Sequence, residues 1–581
     1  MWGMRCLCGL FEASVGQAII QVTDSGARVL VRRRARAHIT QAGLLCLSLI
    51  PFPRPIMADV LGNYYSLFKG AGAVTAALSA LLLLRTIYRR KSTISNLVGP
   101  PSHSWIFGNM VDLLVADQYG DFEFQWQRLY GAVYRVKDCF GEDRLMISDP
   151  VALQSIINST KFDHSPMFAN LMKLLYEKRS LVNARGEYHR RLRAAMNPGF
   201  SAAGCRQYQS VITHAAEEIT RELETASSQS IDMCPLLSTA TLSIVSEAVF
   251  GCAPRELGDE FVQITTRMVV LAGSTDKGTI LWNALGNHLP GWIWDMVALL
   301  PTSTLTELRR GRYLAKQIGR RIVQEKITAA QQGPVQNNDV ISRVLDPIQS
   351  DKGLTEEEMV AQTSLLVVAG QETSANTLLF GLLELARNPG FQDSLRLEIH
   401  SSNSGKGSDI AYNNMPLLNA FIKEILRLYP VITLEERVAT ENTVIPLLDS
   451  VTSSTGERLT QIPIRKGQVV TLSIAAHQRL ESLWGEDANK FRPSRWVDGS
   501  NYQGDAIGPY ANLLAFFGGP HTCIGWRLAI LEMQVIICEL VGKFSFALPE
   551  GDCARMHGAN VIQPTLSTGE KGAPFLVERV L

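Results

Sequence analysis

Of ten cysteines in the chain, Cys523 has the most distinctive surroundings. It lies in the run Phe516-Phe517-Gly518-Gly519-Pro520-His521-Thr522-Cys523-Ile524-Gly525, directly before the amphipathic segment Trp526-Arg527-Leu528-Ala529-Ile530-Leu531-Glu532. The glycines and Pro520 enforce a tight turn, and the cysteine is carried to a helix N-terminus. Unpaired N–H groups and the helix dipole there favour a thiolate. A thiolate so placed is a ligand for iron, tuned by hydrogen bonds to the sulfur. The other nine cysteines are scattered, and Cys6 and Cys8 lack the paired partners of a zinc module, so no disulfide framework is expected.

A second chemically suggestive stretch is Ala369-Gly370-Gln371-Glu372-Thr373-Ser374. Glycine is unfavourable inside a helix, and a threonine hydroxyl can bond back to a carbonyl one turn earlier and bend it, so the spacing predicts a locally widened helix able to hold a small molecule. The helix that must position this stretch has a capping box, Thr355 with Glu358, and runs to Arg387 before Asn388-Pro389 stops it. Roughly 32 residues at 1.5 Å each give about 48 Å, enough to cross a domain.

The chain has 581 residues, 46% hydrophobic, 19% charged and 8% aromatic, which excludes disordered, collagen-like and multi-span membrane classes. Its formal net charge of +1 gives no reason to expect nucleic acid as a partner. The charge is uneven. Residues 1–56 hold seven Arg, no Lys and only Glu12 and Asp24, so the rest is slightly acidic. From Tyr64 to Leu84 the chain is apolar except for Lys69, and Arg85, Arg89, Arg90 and Lys91 follow. This predicts a single membrane anchor over 57–91 with a basic stop, and by the positive-inside rule a cytosolic remainder. A buried or amphipathic helix is the alternative. Residues 1–56 read either as an Arg-rich transit peptide or as an extension before a true start at Met57, the latter preferred. Beyond Gly99-Pro100-Pro101, residues 92–581 show helical periodicity broken by short extended segments, with no repeat and no linker. One mainly α domain with small β-sheets is expected.

The combination resembles the cytochrome P450 family. Phe516, Gly519, Cys523 and Gly525 fill the family's haem-binding pattern. Glu424-Ile425-Leu426-Arg427 matches its Glu-x-x-Arg helix, and Phe491-Arg492-Pro493-Ser494-Arg495-Trp496 matches the segment whose arginine, Arg495, completes a structural triad with Glu424 and Arg427. The resemblance covers about residues 95–581 and implies the P450 fold, haem with Cys523 as axial ligand, and thiolate donation that favours O–O cleavage. It implies that Thr373 and Glu372 relay protons to bound dioxygen, and that His189, Arg193, Arg437 and His521 surround the haem propionates. His521 departs from the usual arginine, so its charge would depend on pH.

By the same resemblance the substrate pocket is lined by residues 167–181, 365–369, 431–434 and the hairpin near Leu566. Its apolar character implies a hydrophobic small molecule. The implied partners are a membrane, that of the endoplasmic reticulum, and a separate NADPH-dependent cytochrome P450 reductase docking near Arg190, Arg191 and Arg527. A slight likeness of the tail to fungal pathway enzymes points to secondary metabolism, with a terpenoid or polyketide substrate. Two rivals remain: a reductase-independent haem-thiolate isomerase or dehydratase, against which Thr373 counts, and a non-catalytic haem-binding membrane protein.

Overall fold

The computed structural model describes residues 92–580, apart from residues 227–229, 274, 333–338, 346–352, 404–410, 501–503, 505, 552–553 and 559. The expected leader over 1–56 and anchor over 57–91 lie outside the described residues. The described chain is mainly helical, with four small sheets.

Five helices position the candidate site: α1 (Gly186–Met196), α2 (Met233–Ile244), α3 (Thr363–Arg387), α4 (Pro416–Leu428) and α5 (Trp526–Lys543). The centre of the core is α3, which packs against α2, α4 and α5. From Gln371 to Leu385 every residue of α3 is buried except Thr373. A helix apolar on nearly all sides is stable only when enclosed, and Leu378, Leu379, Phe380, Leu382 and Leu383 make α3 such a helix. The expected single long helix is in fact two. Glu356–Val360 carries the Thr355/Glu358 capping box, and Ala361 and Gln362 form a turn before α3 begins. The Gln362 side chain is occupied there, donating to the Glu358 and Arg179 carbonyls and accepting from Leu181 N–H.

The largest sheet has five strands, β1 (Val133–Lys137), β2 (Asp143–Ile147), β3 (Phe162–Asp163), β4 (Leu434–Ala439) and β5 (Val469–Ser473), in the spatial order β1-β2-β5-β4-β3. Only β2 and β5 run parallel; the remaining pairs are antiparallel. This sheet matters because β4 carries Glu435 and Arg437 up to the cysteine loop, with Arg437 opposite Val470. At the C-terminus, Arg555–His557 pairs with Gln563–Thr565, and Lys571 bridges back to Thr565.

Among the described residues one helical run is long and apolar enough to cross a membrane, Met233–Phe250, and 72% of it is buried inside the domain. It is a core element. Its last turn, Val245–Phe250, is π-helical, and that turn explains Gly370. A Cβ added at Gly370 would come within 2.5 Å of Val245 Cγ2. The glycine therefore serves close helix approach, and α3 itself remains α-helical through this stretch, so the expected widening does not occur there.

Candidate active site around Cys523

The cysteine loop is built by backbone conformations that few residues tolerate. Gly519 has φ +60°, and a Cβ there would meet Asn158 Oδ1 at 2.8 Å and Ile157 Cγ2 at 2.9 Å. Phe517 also has positive φ, +55°, without being glycine, a strain of order 1–3 kcal/mol that the surroundings must hold. Cys523 N–H donates to Phe516 O at 2.9 Å, closing the loop over the buried Phe516 ring. Gly525 is the N-cap of α5. Its φ does not require glycine, and an added Cβ would find only Phe200 Cε1, at 4.0 Å. Among the described residues no neighbour excludes a side chain at 525, so room is left there for the approach of another group.

Cys523 is surface-accessible, yet burial raises its pKa, opposed by a backbone hydrogen bond from Gly525 and the charge of Arg193. A thiol both accessible and desolvated is a cavity wall. Burial works against the thiolate here, while the Gly525 backbone N–H at the helix terminus and the charge of Arg193 work for it. On α3, Ala369 and Thr373 are likewise accessible in otherwise buried surroundings. Thr373 Oγ1 donates to Ala369 O at 2.7 Å, the back-bond expected from sequence.

One wall of the site is rich in nitrogen bases and cations. The His189 and His521 rings lie 4.5 Å apart, and His164 stands 6.0 Å from His521. Burial lowers the pKa of His521 to about 4, with repulsion from His189, His164, Arg437 and Arg185 adding to it, so at neutral pH the ring is uncharged. Burial also lowers His189, aided by Arg193 and Arg185. Arg193 is held below its ordinary value by burial, against the attraction of Cys523. Arg437 lies over the Phe517 ring at 5.2 Å and is paired with Glu435. Burial works to raise Glu435, but Arg437 and His164 overcome it and hold the carboxyl at about 2. Sequence reasoning missed His164 and Glu435, since neither belongs to a motif and the sheet alone brings them here. The donor set fits haem: a thiol on one side, and imidazoles and guanidinium groups able to receive two carboxylates.

Glu372 is placed differently from an accessible relay residue. Its side chain is buried, accepting from Ser238 Oγ at 2.6 Å and paired with Lys571. Of the arginines expected near the docking face, Arg191 is engaged by Glu358 and Arg190 by Glu187 at 2.7 Å, and Arg190 and Arg527 are exposed.

The sequence triad is assembled in full. Glu424 and Arg427 form a two-pronged pair at 2.8 and 2.9 Å, Arg495 Nε donates to Glu424 Oε1 at 3.2 Å, and all three side chains are fully buried. Arg492 N–H and Trp496 Nε1 complete the carboxylate's partners. Gln478, which no motif marks, connects this cluster to the cysteine loop. Its amide nitrogen donates to Leu426 O and Arg427 O at the end of α4, and its Oε1 accepts from Leu514 N–H at 2.8 Å. Gln478→Ala leaves these buried groups unpaired and is expected to cost about 2–3 kcal/mol, with weakened haem retention, read by chemical unfolding and haem content.

The candidate pocket is partly assembled. Leu171 and Met172 of the segment before α1 share an apolar cluster with Leu365 and Val368 of α3, and Val431 O accepts from Ile562 N–H beside the C-terminal hairpin. Leu434 packs elsewhere, with Met110 and Ile280.

Comparison with known proteins agrees with this arrangement. The profile described as Cytochrome P450 matches residues 98–569. The chain is 29% identical over 511 residues to a ganoderic acid synthetase of Ganoderma lucidum, covering 82% of this chain and 92% of that one. It is 28% identical over 535 residues to cytochrome P450 monooxygenase 91 of Postia placenta, covering 86% and 97%, and 29% identical over 534 residues to cytochrome P450 monooxygenase claW of Ampulloclitocybe clavipes, covering 86% and 96%. With the loop, the triad and a match over most of its length, the chain belongs to the cytochrome P450 family and is a monooxygenase of that family.

Proposed function

We propose that the protein is a membrane-anchored monooxygenase that hydroxylates or epoxidises a hydrophobic small molecule in fungal secondary metabolism, a terpenoid or a polyketide. The observation that carries this reading is the accessible, desolvated Cys523 beside a wall of histidines and arginines. The relative named as a ganoderic acid synthetase and the shared apolar cluster of Leu171, Met172, Leu365 and Val368 support the substrate class. The anchor over 57–91 would hold residues 92–581 at the cytosolic face of the endoplasmic reticulum, where a separate reductase supplies electrons from NADPH.

Haem, when bound, supplies the chemistry of dioxygen activation and electron acceptance. In this reading Cys523 Sγ would hold the haem iron, and His189, Arg193, His521 and Arg437 would receive the propionates. Phe516, Gly519 and Gly525 shape the loop around it. Thr373 orients water and protons through Oγ1, whose own hydrogen bond to Ala369 O keeps the hydroxyl turned along the helix until a better acceptor arrives. Glu372, freed from its ion pair with Lys571, would take up a proton and pass it on.

Cys523→Ser is expected to abolish the reduced carbon monoxide band characteristic of thiolate-ligated haem, read by difference spectroscopy of the full-length protein. Survival of that band in the variant overturns the ligand assignment. Incubating the enzyme with a reductase, NADPH and a panel of terpenoids and polyketides, with products read by mass, tests the substrate class.

A further inference from the structure

Glu372 and Thr373 are neighbours in α3, yet their environments are opposite. Thr373 is accessible, whereas Glu372 is 1% exposed and both its carboxylate oxygens are taken. Oε1 accepts from Ser238 Oγ on α2 at 2.6 Å, and Oε2 is bonded by Lys571 Nζ. Ser238 is itself held by Gln371 Nε2 at 3.1 Å. The carboxylate is thus latched from two elements at once.

The Lys571 half of the latch comes from the C-terminal hairpin. Lys571 bridges to Thr565, Leu566 N–H donates to Glu570 O at 2.8 Å, and the turn residues 567–570 are exposed. The strand leading into this turn, Gln563–Thr565, packs on α3, and Asn376 of α3 reaches the Ile562 carbonyl at 3.5 Å. The Lys571 side chain keeps 14% of its surface, so it spans from the protein exterior to a carboxylate with almost none. An ion pair this buried is held by geometry, since each charge loses hydration and retains only its partner.

We infer that Lys571 is a positioning residue for Glu372, fixing the carboxylate on the α2 side of α3 and placing its release under the control of the C-terminal hairpin. The inference rests on the proposed proton role of Glu372 and Thr373. While Lys571 and Ser238 each hold one oxygen, the carboxylate is fixed on the α2 side of α3 rather than turned toward Thr373. A displacement of the hairpin withdraws the ammonium and leaves one oxygen free. No bond is made or broken in this step other than the ion pair and its hydrogen bond.

The test uses the full-length, haem-loaded protein. Lys571 acylation by a small amine-reactive reagent, read by peptide mass spectrometry, is expected to be slow in the wild type and at least several-fold faster in Glu372→Gln, which removes the ion pair. Equal labelling in the two proteins overturns the inference. With a cytochrome P450 reductase and NADPH but no added substrate, the solvent deuterium isotope effect on NADPH oxidation is then compared. Lys571→Met should change it in the same direction as Glu372→Gln, and Lys571→Arg, which keeps the cation, should restore the wild-type value. If Glu372→Gln and Thr373→Ala leave the isotope effect unchanged, the relay reading itself fails. If they change it and Lys571→Met does not, only the role of Lys571 fails. The reduced carbon monoxide band of each variant reports that the fold and haem site are intact.

Discussion

Glu424→Gln is expected to destabilise the haem domain by about 3–5 kcal/mol, the cost of breaking a buried ion pair and leaving uncompensated charge behind. Two guanidinium groups depend on this carboxylate. Arg427 is 0% exposed and binds it through two nitrogens, while Arg495, also 0% exposed, reaches the same oxygen that accepts from Arg492 N–H. Arg427 spends its remaining donors on the carbonyls of Gln478, Ala488 and Lys490, and Arg495 on those of Trp484 and Asp487 and on the Asp487 carboxylate, 3.2 Å from Nη2. The amide of the variant keeps the shape and loses the charge, so the loss is electrostatic rather than steric. Against a total stability of about 5–15 kcal/mol, most of the variant should fail to accumulate as haem-loaded protein. The check is the yield of protein with the reduced carbon monoxide band, together with denaturant unfolding of the part that folds. A Glu424→Gln protein with wild-type yield and unfolding midpoint would show that the cluster carries no net stability. Glu424→Asp, which keeps the charge but shortens its reach, should fall between the two.

The second large effect lies at Glu532, on α5. This carboxyl is buried, one of its oxygens has no hydrogen-bond partner, and Ser374 of α3 supplies its one favourable contact. Desolvation pushes its pKa up to about 8, so at neutral pH the folded protein keeps the proton that the unfolded chain, with an ordinary carboxyl, has released. Stability then falls as pH rises between about 4.5 and 8 and levels off above that. The full span amounts to on the order of 5 kcal/mol. Glu532→Gln cannot ionise, so its stability should lack this slope. Below pH 5 the variant and the wild type should be close, and above pH 8 the variant should be clearly the more stable. Unfolding midpoints of both holoenzymes from pH 5 to 9 give the difference directly, and a difference independent of pH refutes the neutral-carboxyl assignment. Glu123, also raised by burial, to about 7, adds a slope of the same sign, but it is common to both proteins and cancels in the comparison.

The contrast between Glu424 and Glu532 shows why two buried glutamates in neighbouring helices differ. Glu424 is surrounded by cations and backbone donors and is held below its ordinary pKa: burial opposes this, and the hydrogen bonds and charges of Arg427 and Arg495 prevail. Glu532 has a single hydroxyl. Motif spacing marks the first glutamate and gives no sign of the second's protonation, because the environment of a carboxyl is set by what other elements bring to it.

The same distinction runs through the whole site. Residues acting through local geometry were legible in the chain itself. The loop from Phe516 to Gly525 needs its glycine at 519 because φ there is positive. The i, i+3 spacing of Glu424 and Arg427 puts both on one helix face, and the Thr355/Glu358 capping box and the Thr373 back-bond are one-turn interactions. Short-range periodicity likewise determined the mainly helical class. Everything decided by residues far apart in sequence was left to the tertiary structure. It broke the expected spine helix at Ala361 and Gln362, where the Gln362 side chain turned to Arg179 and Leu181. It explained Gly370 by the approach of Val245 rather than by a widened helix, and it brought His164, just after β3, and Glu435, two residues before Arg437 on β4, to the same wall. It also turned Glu372 toward Lys571, 199 residues away in the chain. Desolvation and long-range charge have no signature in spacing. They arise only when distant segments exclude water together, which is why the chain alone identified the ligand loop and the family, while the protonation and partners of the groups around it were fixed by packing.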